Sequence, residues 1–172
     1  MKDMFCFQCQ QTAHNKACEG KAGVCGKKAD TANYQDELVG ALIGLARAAK
    51  SGNPTAHTDE LVMKGLFTTL TNVNFNNVTI KQIKTEIETE KGRINSEKFE
   101  DYDMENIWDD HEDIRSLKSL ILFGIKGMAA YAYHSLVLGK TDSEVSNFFY
   151  EALYALGEKK SADELLELVL KT

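Results

Sequence analysis

The sequence predicts an all-α protein: an antiparallel bundle of about six helices with a cysteine-rich loop segment at its N-terminus. Three observations lead there. Apolar residues recur at helical spacing through most of residues 34–170. No stretch alternates apolar and polar residues as a half-buried strand does. All four cysteines of the 172-residue chain fall within its first 25 positions. Apolar residues at 43% and charged residues at 27% are the balance of a soluble globular domain with enough chain for a real core. A single proline and 12 glycines exclude collagen-like and proline-rich chains.

The head comes first. Residues 1–33 carry five lysines against three acidic side chains, a net of +2, so the other 139 residues hold −8 of the formal −6. The head differs from the body in cysteine, glycine and sign of charge. We therefore divide the chain into a cysteine-rich segment, 1–33, and a helical bundle, 34–172, folded together as one domain.

The first helix is expected from Tyr34 to Lys50, with Leu38, Leu42, Leu45 and Ala49 on one face, Thr31 or Asn33 as cap, and Gly52-Asn53-Pro54 as stop. A second runs from about Thr58 to Val73, and asparagine-rich 72–77 turns the chain. A third, about Val78 to Lys98, shows Ile80, Ile83, Ile87 and Ile94 among lysines and glutamates and is the most solvated. Residues 97–113 hold nine acidic side chains and one lysine around Phe99, Tyr102, Ile107 and Trp108. They read as a solvated linker, or, more sharply, as an acidic docking surface for a basic partner. A long helix follows from about Asp113 to Leu138. Its apolar stretch, 117–138, carries Lys118, Lys126 and His134, which favours a core helix over a membrane span. A fifth starts at Thr141-Asp142-Ser143-Glu144 and ends at Gly157. A sixth starts at the capping box Ser161-Ala162-Asp163-Glu164. It carries Leu165, Leu166, Leu168, Val169 and Leu170 and stops at Lys171-Thr172 without a glycine cap, as a chain cut from a longer protein would. Part of that apolar stripe should pack on the bundle and part stay exposed, giving a surface for dimerisation. Short connections between consecutive helices favour antiparallel neighbours.

The N-terminus has no apolar leader, so a reducing, cytoplasmic location is expected. The negative charge and a pI near 5.3 argue against nucleic acid, and no membrane partner is expected.

Chemistry concentrates in Cys6, Cys9, Cys18 and Cys25, spaced C-x2-C-x8-C-x6-C. In a reducing compartment such a set is for metal rather than disulfides. Zinc sites pair their ligands two to four residues apart; here the second pair is wide and bears Gly20 and Gly23. That suits an iron–sulfur cluster, with zinc as the alternative. Lys16, Lys21, Lys27 and Lys28 would offset a thiolate cluster's negative charge, and Gly20, Gly23 and Gly26 could bring backbone N–H groups close to sulfur. His14 is read as a loop surface residue, His57 and His111 as surface residues, and His134 as a packed helix residue. Glu86, Glu88 and Glu90 read as an exposed acidic face. No glycine-rich phosphate loop and no Ser–His–Asp set is present. A Cys6/Cys9 redox dithiol would need a thioredoxin-like βαβ context.

The stretch Met4-Phe5-Cys6-Phe7-Gln8-Cys9-Gln10-Gln11-Thr12-Ala13, then Cys18, Gly23-Val24-Cys25-Gly26-Lys27 and Thr31-Ala32-Asn33-Tyr34-Gln35-Asp36, closely resembles the N-terminus of hybrid-cluster proteins, also known as prismane proteins or hydroxylamine reductases. Weaker likeness continues through 65–74, 113–117 and 124–132. The resemblance implies that Cys6, Cys9, Cys18 and Cys25 are the cofactor and metal ligands of an electron-relaying 4Fe-4S cluster, with 2Fe-2S as the other form in the family. It implies a longer protein whose further domains hold the hybrid cluster that reduces hydroxylamine or nitric oxide, and a redox donor protein. All four cysteines are assigned, so no catalytic residue is expected here and this chain alone should be inactive. Without the resemblance, a zinc-stabilised helical scaffold with an interaction role is the alternative.

Overall fold

A computed structural model of the chain describes residues 3–9 and 17–172. Among these, seven helices account for nearly all regular structure, so the protein is an all-α bundle as its sequence predicts. They are α1 (Ala29–Ser51), α2 (Ala56–Thr68), α3 (Asn77–Ile94), α4 (Glu105–Asp109), α5 (Glu112–Val137), α6 (Ser143–Gly157) and α7 (Ala162–Val169).

The core is built on α1. From Leu38 to Ala49 its apolar residues are buried on every side, which makes it the axis of the bundle rather than an amphipathic surface helix. It packs against α3 and α6, while α5 packs against α2, α6 and α7. Ile80, Ile83, Ile87 and Ile94 of α3, Ile121, Leu122 and Ile125 of α5, and Phe149, Leu153 and Leu156 of α6 fill the same core. Truncating one of these leucines or isoleucines to alanine removes roughly 2–5 kcal/mol.

Side chains placed in the sequence for the purpose cap several helices. Asn76 accepts from the backbone N–H of Val78 and Thr79 at the head of α3. Asp142 does the same for α6, accepting from Glu144 and Val145. Ser161 and Glu164 close the expected box on α7. Helix α2 starts earlier than periodicity suggests, on a Thr55/Thr58 box, and ends at Thr68 rather than Val73. Just beyond it Asn72 takes a positive φ of 63°, which no helix continues.

Three expectations are corrected. First, α1 starts at Ala29, not Tyr34, and neither Thr31 nor Asn33 caps it; Lys28 is the boundary residue. The extra turn forms because Ala29 and Ala32 are buried with Met4 against the cysteine segment, a tertiary contact that helical periodicity does not register. The helix thus runs through the division drawn at residues 33 and 34. Second, there is a sheet, though a minimal one: β1 (Met4–Phe5) pairs antiparallel with β2 (Glu19–Gly20). Two residues are too few to show an alternating pattern.

Third, residues 97–113 are not a solvated linker. Gly40 and Gly44 open a groove along α1, and the backbone of 100–102 lies in it: Tyr102 N–H donates to the Gly40 carbonyl at 3.1 Å. A Cβ at Gly40 would stand 2.2 Å from the Tyr102 oxygen. Met104 and Ile107 are buried, the latter within α4. Buried cations take up two of the nine acids: Lys91 reaches Asp101 at 2.6 Å, and Lys118 reaches Asp110 at 2.7 Å. Both lysines are themselves buried. Local charge density predicts repulsion, but these counter-ions come from α3 and α5, which the local sequence does not show.

By length and hydropathy α5 could also cross a membrane. In the bundle, Ile121, Leu122, Ile125 and Ala129 face inward, while Leu120, Tyr131 and Val137 remain exposed. The expected core helix is therefore buried along one face only. In α7, Leu165 and Leu168 are buried and Leu166 exposed, as is the C-cap residue Leu170, the division the stripe predicts.

Candidate metal centre

The N-terminal segment folds around its cysteines. Cys6 follows β1, Cys18 precedes β2, and the Cys6 N–H donates to the Cys18 carbonyl at 3.1 Å, so the short sheet sets these two thiols side by side. Cys25 sits in a tight turn in which Gly26 N–H donates to the Gly23 carbonyl at 2.9 Å and Gly23 N–H donates to the Lys27 carbonyl at 2.8 Å. Gly26, with φ of 83°, adopts a conformation that side chains disfavour. A Cβ at Gly23 would lie 3.6 Å from the Cys18 sulfur, so the backbone runs directly beside that thiol.

Cys6, Cys9, Cys18 and Cys25 line one cavity, closed by Met4, Gly23, Val24, Lys27 and Thr71. All four are half-buried and none is in a disulfide. The structure therefore brings together the four thiols that the spacing singled out. Among the described residues no three Cys, His, Asp or Glu side chains converge closely enough to grip one ion. Lys27 is buried against them, with Nζ 3.9 Å from the Cys6 sulfur. Burial pushes the Cys6 thiol up; Lys27 and the Gln8 backbone N–H pull the other way. A ring of soft donors with a buried cation among them fits an anionic metal–sulfur group.

Beneath the cavity lies a polar chain that sequence reasoning missed. Gln8, between Cys6 and Cys9 and almost wholly buried, donates through Nε2 to the Asp36 carboxylate of α1 and accepts at Oε1 from Lys126 Nζ of α5. Burial raises Asp36 to about 7, against the hydrogen bond from Gln8 and the charges of Lys126 and Lys27. Burial lowers Lys126 to about 7, against the pull of Asp36. The amide thus ties the cysteine loop to two helices far apart in sequence. The readable signal was Lys126 itself, a lysine amid the most apolar helix. On the other side, the Phe5 ring packs at a tilt against Phe7 and against Trp108 of α4, with ring centroids 4.9 and 4.6 Å apart.

The histidines are elsewhere. His111 caps α5, accepting from the Asp113 N–H at 3.4 Å. His57 is exposed, and His134 packs edge-on to Phe67. His14, with Lys16, lies outside the described residues. Glu90 is not part of an exposed face: it is buried, held by Arg93 and Thr58, and its carboxyl is lowered to about 2, chiefly by Arg93.

The structure is thus a small helical bundle that presents four cysteines around one cavity. The chain belongs to the Prismane/CO dehydrogenase family, whose pattern it matches over residues 4–172. It is 34% identical to the hydroxylamine reductase of Nitratidesulfovibrio vulgaris, over 98% of this chain and 36% of that protein. To the hydroxylamine reductase of Acetivibrio thermocellus it is 38% identical, over 98% of this chain and 36% of the relative. To that of Bacteroides fragilis it is 39% identical, over 98% and 35%. The chain thus spans little more than a third of the length of the curated relatives it matches.

Proposed function

We propose that the chain is the N-terminal electron-relay domain of a hydroxylamine reductase, holding a 4Fe-4S cluster through Cys6, Cys9, Cys18 and Cys25. The observation that carries this reading is the single cavity lined by all four thiols with Lys27 buried among them. The wide, uneven C-x2-C-x8-C-x6-C spacing favours a multi-iron group over zinc. A bound cluster supplies one-electron transfer. The chain's own part is to hold the thiols in place through β1, β2 and the Gly23–Gly26 turn, to set a positive charge beside Cys6, and to anchor the loop through Gln8 to α1 and α5.

In this reading the domain works within a longer cytoplasmic protein. Other domains there bind the nitrogen substrate, hydroxylamine or nitric oxide. For hydroxylamine, two electrons and two protons convert NH2OH to ammonia and water, and the N–O bond is the one broken. The exposed Leu166 and Leu170 of α7 serve as contacts with those domains or with a second copy.

The test is anaerobic iron and sulfide analysis. About four of each per chain support the proposal, about two of each give the 2Fe-2S form, and one zinc without sulfide refutes it in favour of a zinc-stabilised scaffold.

A further inference from the structure

Asp36 stands between solvent and the cysteine loop. On one side it lines an open cavity of about 580 Å³, bounded by the N-terminal segment, the start of α1 and residues 101–105. On the other it accepts hydrogen bonds from the Phe7 N–H and from Gln8 Nε2, both within the loop that runs from Cys6 to Cys9. Gln8 in turn accepts at Oε1 from Lys126 Nζ. Gln8 and Lys126 are buried and Asp36 is part-buried, so the carboxylate is the end of this chain that meets the cavity. A proton can reach it from solvent, and the amide bonded at both ends links it to the thiol loop.

The charges facing Asp36 pull in two directions. Asp3, Asp30, Glu37, Asp101, Asp103 and Glu105 line the cavity with it. Lys84 of α3 lines it too, but Glu37 and Asp101 hold that cation at 3.2 and 3.7 Å. This acidic field draws protons to the carboxylate. From the loop and from α5, Lys27 and Lys126 oppose it, while Cys6 and Cys9 act on Lys126. The balance leaves Asp36 at about 7, so a modest change in charge nearby switches its protonation at neutral pH. A unit charge of the order of 10 Å from a titrating group, at an effective dielectric of about 20, changes its proton affinity about tenfold.

We propose that Asp36 is a redox-linked proton site: when an electron enters the group held by Cys6, Cys9, Cys18 and Cys25, a proton enters Asp36 from the cavity. The inference rests on the electron-relay reading and adds how this domain compensates the charge it receives. The electron comes from a one-electron reductant and adds one negative charge at the thiols. The proton comes from hydronium in solvent, whose O–H bond breaks as one forms on the carboxylate. Net charge around the cysteine loop is then the same before and after. Gln8 and Lys126 hold the carboxylate in place against the loop and are positioning residues for this step.

The test uses the whole chain, reconstituted anaerobically, with iron and sulfide counted on the same sample. Its midpoint potential is measured by equilibrium redox titration from pH 6 to 9. If reduction raises the proton affinity of Asp36 tenfold, the midpoint falls by about 59 mV in total across that range. Asp36→Asn should make the midpoint independent of pH. Glu37→Gln, which removes an exposed acid of the same cavity, should keep the wild-type dependence. A purely structural role for Asp36 would move the potential of the Asn variant without flattening its pH dependence. The proposal is overturned if the loaded wild-type midpoint is flat, if Asp36→Asn slopes as wild type does, or if both variants flatten it alike. If Asp36→Asn takes up no iron and sulfide, reduced-minus-oxidised infrared spectra of wild type decide. A protonated-carboxyl band gained on reduction supports the proposal, and its absence overturns it. A wild-type chain that takes up no iron and sulfide overturns the electron-relay reading, and this inference with it; a loaded chain with a flat midpoint overturns this inference alone.

Discussion

The Asp36–Gln8–Lys126 chain, with Gln8 and Lys126 buried and Asp36 part-buried, makes stability depend on pH in two opposite ways, and single substitutions separate them. Asp36 has its folded value raised from 3.8 to about 7. The folded state therefore holds this proton more tightly than the unfolded chain, and the carboxylate destabilises increasingly as pH rises from about 4 to about 7. Lys126 is the mirror case, lowered from 10.5 to about 7. Its ammonium destabilises the fold below about 7, and the penalty fades as pH rises from there toward 10. Each gap is about three pH units. At roughly 1.4 kcal/mol per unit, either group contributes at most about 4 kcal/mol of unfavourable free energy when charged.

The measurement is urea unfolding of metal-free, reduced chain between pH 5 and 9, followed by helical circular dichroism for wild type, Asp36→Asn and Lys126→Met. The difference between Asp36→Asn and wild type should shift in the variant's favour by 1–2 kcal/mol from pH 5 to 7, about half of the full range, and then level off. The difference for Lys126→Met should be flat below pH 7 and move toward wild type above it. Both curves parallel to wild type throughout would refute the burial of this chain as the source of the shifts, and with it the anchoring of the cysteine loop on α1 and α5.

Further outcomes follow from the same structure. Cys→Ala at 6, 9, 18 or 25 should lower iron and sulfide content while circular dichroism keeps most of its helical signal, because the core is built from α1 to α7. Gly40→Ala should destabilise the fold by about 2 kcal/mol despite alanine's better helix propensity, since its Cβ would meet the Tyr102 carbonyl at 2.2 Å; protease cutting within 97–104 should rise with it. The reconstituted chain should form no ammonia from hydroxylamine above the background of free iron and sulfide, because four thiolate ligands leave no open position for the N–O group. Leu170→Glu should reduce any concentration-dependent dimer seen by analytical ultracentrifugation, as Leu170 is 79% exposed.

What the sequence made legible were features written locally. Helices α6 and α7 start at caps legible in Thr141-Asp142-Ser143-Glu144 and Ser161, and the buried faces of α3, α6 and α7 follow period 3.6. The four thiols were legible because spacing along one short segment limits how far apart they can stand. What escaped depends on partners distant in the chain. The first turn of α1 exists because Ala29 and Ala32 meet Met4. The acidic stretch folds because Lys91 and Lys118 arrive from α3 and α5. Gly40 and Gly44, four residues apart and so on one face of α1, were the available hint of a backbone crossing there.

The same distinction explains how a loop with almost no regular structure can hold four thiols in place. β1 and β2 pair over only two residues each, too little to be stable alone. The loop borrows rigidity instead. Met4 is buried against α1, the Gln8 side chain is held at both ends by α1 and α5, Lys27 is buried beside Cys6, and Trp108 packs on Phe5. Three of these four anchors sit within two residues of a cysteine. The proposed electron relay would need thiols that move little between oxidation states, and the bundle supplies such stiffness through side chains interleaved with them. The acidic segment belongs to the same scheme: by folding across α1 it sets α4, and so Trp108, against the cysteine loop. A helical body is thus the support on which a four-thiol site can be both fixed and near the surface.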